Sequence, residues 1–503
     1  MGTYKNALKA TMAGLLSLPM LAGPAFSQGE DVTVLLTSEF KNMDPTETGG
    51  ELPMVMYHIY CRLYSFDDDM KPVPDLVEQE TVSDDNLTWT LKLRAGATFH
   101  DGTPVNAEAV KYMVDRMLAT SGSGKILFQP ISNVEILDDL TVKMTTEKPF
   151  PALRNNLAGP YSGLVSPAAD KKLGDRYGLE PVSCGPYKFT SWTRGSELVL
   201  ERFDDFYGPT PPYSSVSFQF VPDVSTRLFK MMNGEADVAL RFGPVEAEQL
   251  RSRDVKVQEI HGRTIFYQLH VAKPPLDDVR VRKAINHAVD KNAIIKNVLA
   301  GGGTISKSVL AANSFGGTPV GEYEYDPEKA RALLKDAGVE SANLVLYSTQ
   351  NRYLNDSLVA QAIAGYLRKV GLETEVRIIG DWASYVERVG KLDFDLYTLS
   401  WGSSTGDADR VLQANFKSTR AGKTWNFGGY KNEEIDRLID EARAIIDNDE
   451  RKAKYVVIQK KLFDDAPWLF LYRSVSYMPL SDKISTLHVL EGPGFPYLFD
   501  LPN

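Results

Sequence analysis

The sequence is poor in cysteine, has no concentration of positive charge and, past its N-terminus, has no long apolar run. Only Cys61 and Cys184 occur among 503 residues. A cysteine-stapled mini-domain and a cysteine-rich metal cage are both excluded. The pair is a candidate disulfide if the chain is exported, and two buried thiols if it is not. Lys and Arg total 56 against 66 Asp and Glu, a formal net charge of −10. Binding along a phosphate backbone needs clustered Lys and Arg, so no nucleic-acid partner is expected. His-Glu-x-x-His and Cys-x-x-Cys are both missing. The six histidines never stand in an i,i+4 pair, so no metal site and no cofactor are expected. "TSGSGKI" around Gly124 lacks the spacing of a phosphate loop and reads as a surface turn.

What is present starts at the N-terminus. Lys5 and Lys9 precede an apolar stretch from about Ala10 to Ala22, and small residues follow at Ala25 and Ser27. This is the layout of a secretory signal peptide over residues 1–27, cleaved after Ser27. The stretch is short for a bilayer span, and no cysteine stands at the cleavage point to take a lipid. The mature chain is therefore expected outside the cytoplasm, in the periplasm, and soluble.

Periodicity then sketches an α/β protein. "DVTVLL" reads as a buried strand, "VEILDDLTVKMTT" as a hairpin turning at Asp138-Asp139, and "NAEAVKYMVDRMLAT" as a helix capped by Asn106. Three further strands are expected over "YKFTSW", "SELVLERF" and "SVSFQFV". "LDDVRVRKAINHAVDKNAII" reads as one helix opened by Asp277 or Asp278. "YDPEKARALLKDAGV" has Asp326 as cap, Pro327 at the first helical position and Gly338 at the end. The clearest unit alternates strand "NLVLYS", helix "DSLVAQAIAGYLRKVG", strand "ETEVRIIG", helix "DWASYVERV" and strand "DFDLYTLSW". Such an order predicts a parallel sheet with helical crossovers.

Ligands of parallel sheets sit beyond the carboxyl ends of the strands. Two loops leave such ends: Tyr347 to Arg352, and Trp401-Gly402-Ser403-Ser404-Thr405 followed by Asp407 and Asp409. The second is the expected pocket floor. Asp407 and Asp409 could serve acid–base chemistry or Ca²⁺, but no Asp/Asn series surrounds them. Turn formation or helix capping is the simpler role.

Several stretches together resemble the extracytoplasmic solute-binding proteins of ABC importers, bacterial solute-binding protein family 5. They are "SEFKNMDP", "LTWTLKLRAGATFHDGTPVNAEAVKYMVDRM", "PVSCGPYKFTSW", "NGEADVAL", "PPLDDVRVRKAINHAVDK", "YDPEKARALLKDAG" and "DFDLYTLSWGSSTGDAD". The resemblance implies a two-lobed periplasmic binding protein fold of the α/β class with mixed sheets, an extra subdomain and a cleft between the lobes. On that template the lobe I core takes residues 28–62, 181–270 and 480–503, the extra subdomain 63–180 and lobe II 271–479. It also implies no catalysis, a monomer, and partners limited to a small peptide-like ligand and a membrane permease with cytoplasmic ATPases, touched only peripherally.

The same resemblance nominates ligand contacts. Peptide binders of the family carry an Asp three residues after the motif tryptophan, where it pairs with the ligand's α-amino group; here that position is Ser404. A charge-assisted contact is replaced by a neutral hydroxyl. The pattern Trp-x-x-Ser-Thr-Gly-Asp-Ala-Asp is instead similar to the branch containing glutathione-binding proteins. The implied ligand set is Glu39, Phe40, Tyr267, Tyr347, Asn351, Arg352, Trp401, Gly402, Ser403, Ser404, Thr405 and Asp407. Glutathione-like solutes lead. Opine or amino-acid conjugates and metal chelates are the alternatives, followed by a secreted hydrolase using Asp407 and Asp409.

Overall fold

A computed structural model describes residues 30–47, 50–120, 123–402, 404–423, 425–490 and 495–502. The expected signal peptide, residues 1–27, and Ser403 lie outside the described residues.

One sheet of eleven strands runs through the molecule. From one edge its order is Leu372–Ile379, Ala342–Thr349, Leu396–Trp401, Lys256–Leu269, Trp468–Leu480, Val238–Ala239, Asp31–Leu36, Ser215–Phe220, Glu197–Arg202 and Tyr187–Thr193, with Gly303–Ile305 branching from Trp468–Leu480. Ala342–Thr349 pairs in parallel with both Leu372–Ile379 and Leu396–Trp401. This is the parallel trio that the strand–helix alternation predicts. At the other end Asp31–Leu36 pairs in parallel with Ser215–Phe220 and Val238–Ala239. The long antiparallel pair Lys256–Leu269 and Trp468–Leu480 joins the two halves and forms the hinge region.

The cores follow this division. Leu269, Ile285, Leu346, Ile363 and Leu396 pack on one face of the parallel trio; Phe266, Tyr385, Leu399, Phe416 and Trp468 pack on the other. A separate four-stranded sheet lies within residues 77–146, yet its Trp89 and Leu91 share one continuous apolar cluster with Val32 and Val34. Cys61 and Cys184 are placed as a disulfide inside that cluster, with Cα atoms 5.0 Å apart.

Caps lie where the sequence puts them. Asn106, Asp326 and Asp381 accept from the backbone N–H groups of Ala109, Lys329 and Ser384 at 3.1, 2.9 and 2.7 Å. Two expectations are corrected. The single helix expected from Asp278 breaks into Val279–Ala288 and Lys291–Asn297, because Asp290 caps a new start by accepting from Ala293 N at 2.8 Å. The surface turn expected around Gly124 lies partly outside the described residues, and Ser123–Phe128 is a short helix. Among the described residues no helix is long and apolar enough to cross a membrane.

Candidate ligand cleft

Backbone register assembles the cleft. Trp401 ends its strand opposite Thr264 of the hinge strand. Immediately before Thr264 the hinge ladder slips, with a register shift between His261 and Thr264. The 402–407 loop and this β-bulge therefore share one sheet edge. The loop after Ala342–Thr349, which carries Arg352, leaves the same edge because its strand is parallel to that of Trp401. From the other half, Thr37 follows Asp31–Leu36 and Arg241 follows Val238–Ala239.

The walls touch across the gap. Asn155 Nδ2 donates to the Thr405 carbonyl at 2.8 Å. Arg410 Nη2 donates to the Tyr161 hydroxyl at 3.0 Å, and its Nη1 donates to Ser404 Oγ. Arg241 forms an ion pair with Glu51 at 2.7 Å and donates from Nη1 to the Arg352 carbonyl at 3.3 Å. Gly406 sits at φ 64°, and a Cβ there would come within 2.7 Å of the Met70 carbonyl. Farther out, the Arg443 guanidinium lies over Phe150 at 4.7 Å. The two walls are thus joined directly by these contacts.

Trp401 meets Trp425 edge to face, with centroids 5.7 Å apart. Among the described residues its Nε1, Thr405 Oγ1 and Arg352 Nε are buried without hydrogen-bond partners. A buried donor left unpaired costs about 1–3 kcal/mol. Gly402 and Ser404 are half-buried beside them.

Other nominated residues sit elsewhere. Tyr267 is buried in the core and donates to Ser348 Oγ at 3.3 Å. The Tyr347 hydroxyl accepts from Arg388 Nε at 2.8 Å and Arg377 Nη1 at 3.2 Å. Tyr347 lies within the parallel trio and Tyr267 on the adjoining antiparallel strand Lys256–Leu269, and both rings are buried in the core. Asn351 is exposed at φ 62° and donates its backbone N–H to Asp356 Oδ1 at 3.0 Å. Glu39 accepts from Trp192 Nε1 at 3.0 Å and Gly195 N at 3.1 Å, while Phe40 packs on Trp192. Both therefore face the Tyr187–Arg202 hairpin.

Asp407 is fully buried, accepts the Asp409 N–H at 2.9 Å as a helix cap, and pairs with Arg451 at 3.0 Å. Burial raises its carboxyl pKa against the opposing pull of Arg451. Asp409 pairs with Arg443 at 3.2 Å. The two acids have structural partners, and among the described residues no three His, Cys, Asp or Glu side chains converge as a metal site.

Sequence reasoning missed Arg263, Arg241, Arg410 and Asn155. One signal was available: Gly262 inside a strand marks a bulge or a close backbone approach.

The model for bacterial extracellular solute-binding proteins, family 5, matches residues 71–423. The glutathione-binding protein GsiB of Pectobacterium atrosepticum is 31% identical over 500 residues, covering 97% of this chain and 96% of that protein. GsiB of Escherichia coli K12 is 30% identical over 502 residues, covering 96% and 98%. Among solved structures, the periplasmic binding protein DppA of Helicobacter pylori with the peptide STSA has a TM-score of 0.83 and 25% identity over 94% of this chain and 98% of its own. AgaA of A. tumefacien R10 with agropinic acid has a TM-score of 0.83 and 26% identity over 93% and 99%. The chain belongs to the bacterial extracellular solute-binding proteins of family 5.

Proposed function

We propose that this chain is a periplasmic receptor that captures a peptide-like solute, glutathione-like rather than a plain dipeptide, and delivers it to an ABC permease without chemical change. The observation that carries the reading is Ser404. Its hydroxyl accepts from Arg410, on the loop that floors the cleft. A carboxylate there would hold a ligand ammonium; a hydroxyl bound to a guanidinium favours an anionic group. The glutathione-binding relatives are similar over nearly the whole chain.

Closure follows from differential affinity. A solute touching both walls binds the closed form more tightly than the open one and shifts the population toward it. The permease then meets the closed form. Conjugates of the opine class are the second reading, favoured by the similarity to AgaA.

Native mass spectrometry of the purified mature protein, incubated with equimolar glutathione, trialanine and glucose, tests the proposal. A single one-to-one glutathione adduct of unaltered mass is expected. Retention of trialanine or glucose instead would overturn it.

A further inference from the structure

We propose that the cleft selects a solute bearing at least two carboxylates, and that Arg263 on the hinge bulge is the residue that sets this selectivity. The inference rests on the reading of the chain as a receptor for a peptide-like solute, and it names the charge class of that solute.

The bulge is built to present this side chain. Where the ladder slips, its carbonyls are taken up by the opposite hinge strand. Arg473 donates from Nη2 to His261 O and from Nε to Gly262 O, both at 3.1 Å, and Ser474 Oγ donates to Arg263 O at 3.2 Å. A Cβ on Gly262 would come within 2.7 Å of Ser474 Oγ, the hydroxyl that donates to Arg263 O, so a side chain there would disturb that bond. The backbone is satisfied, and the Arg263 side chain is left to enter the cleft.

No carboxylate answers it. Among the described residues the Arg263 guanidinium forms no hydrogen bond or ion pair; its one ring neighbour is Phe495, at 5.9 Å. It is half-buried. Burial, and then the positive charges of Arg241 and Arg352, push its pKa down.

The neighbouring arginines share the condition. Arg352 stacks on Trp382 at 3.5 Å with its Nε unpartnered. Arg410 is held by the hydroxyls of Ser404 and Tyr161. Among the described residues only Arg241 of this group has an acid, Glu51, which also accepts from Thr37 N and Thr37 Oγ1 at 2.7 and 2.8 Å. Among the described residues, three guanidiniums from three segments thus line one cleft without a protein counter-ion. The chain is acidic overall, at −10, so the imbalance is local.

Buried charges are ordinarily paired, because an unpaired one loses its hydration with nothing in return. Guanidiniums also present forked donors that match carboxylates two bonds at a time. A solute with two carboxylates supplies the missing charge and removes the repulsion that otherwise opposes closure. Glu51 is already occupied, so a ligand ammonium gains less here than a second acid.

The test titrates the intact protein, by calorimetry, with glutathione, its glycyl monoethyl ester and mannopinic acid, a sugar–glutamate conjugate with two carboxylates. Wild type, Arg263→Gln and Arg263→Lys are compared, with melting midpoints as the folding control. Wild type is expected to bind glutathione at least tenfold more tightly than the ester. Arg263→Gln should lose at least tenfold for glutathione and less than threefold for the ester, and Arg263→Lys should recover part of the difference. Equal affinity of wild type for diacid and ester would overturn the two-carboxylate proposal and leave the peptide reading standing. Binding of mannopinic acid without either peptide would support the two-carboxylate cleft and overturn the peptide reading. Binding of none would overturn both.

Discussion

Asn155 and Thr405 are 250 residues apart in sequence and are joined by a hydrogen bond of 2.8 Å from a side-chain amide to a backbone carbonyl. In the proposed receptor this bond is made only while the two walls are together, so it belongs to the closed form. Asn155→Ala should therefore speed glutathione release about fivefold, the equivalent of about 1 kcal/mol for one hydrogen bond, with little change in association. Stopped-flow fluorescence would measure this. An unchanged release rate would mean that closure does not depend on this contact.

Trp401 offers an indole N–H with no partner among the described residues and a ring set against Trp425. Trp401→Ala should weaken ligand binding by on the order of tenfold or more, as aromatic anchors in enclosed sites do. The melting midpoint should shift only slightly, because the ring is half-buried. A large loss of stability with unchanged affinity would make the residue a plug of the sheet edge.

Asp407 is predicted to behave in the opposite way. It is 1% exposed and paired with Arg451, itself 3% exposed. Removing one partner strands a buried charge, so Asp407→Asn should cost about 3 kcal/mol of stability. Affinity of the folded protein should hold. Denaturant unfolding beside calorimetry separates the two, and a selective loss of affinity would return Asp407 to the ligand set.

These contrasts show what the sequence carries. The parallel trio was legible because caps such as Asp381 and breaks such as Gly371 are local chemistry, and strand order then placed the Trp401 loop at a carboxyl edge. Arg263 was hidden because its bulge is made by Arg473 and Ser474, 211 residues away in sequence. Tyr347 and Asp407 misled for a related reason. Aromatic and acidic side chains near a loop look alike whether they face a ligand or a neighbour such as Arg388 or Arg451, and only tertiary packing separates the two.

His58 predicts an acid-sensitive fold. Its Nδ1–H donates to Met54 O at 2.8 Å and its Nε2 accepts from Leu498 N at 3.2 Å, a pattern that needs the neutral ring. Burial lowers its pKa to about 4. The folded value lies below the ordinary 6.5, so between the two the unfolded chain binds the extra proton. Stability is then full above pH 6.5 and falls as pH drops toward 4, by about 2 kcal/mol at pH 5. Unfolding curves at pH 7 and 5, with the His58 ring followed by NMR, would check this; titration of the ring near 6.5 would contradict it.

The most direct measurement of the central claim is equilibrium dialysis of the purified protein against labelled glutathione, with the retained ligand recovered and identified by mass spectrometry. The account predicts saturable retention of one glutathione per chain, recovered intact. No retention, or recovery of cleaved fragments, would contradict it.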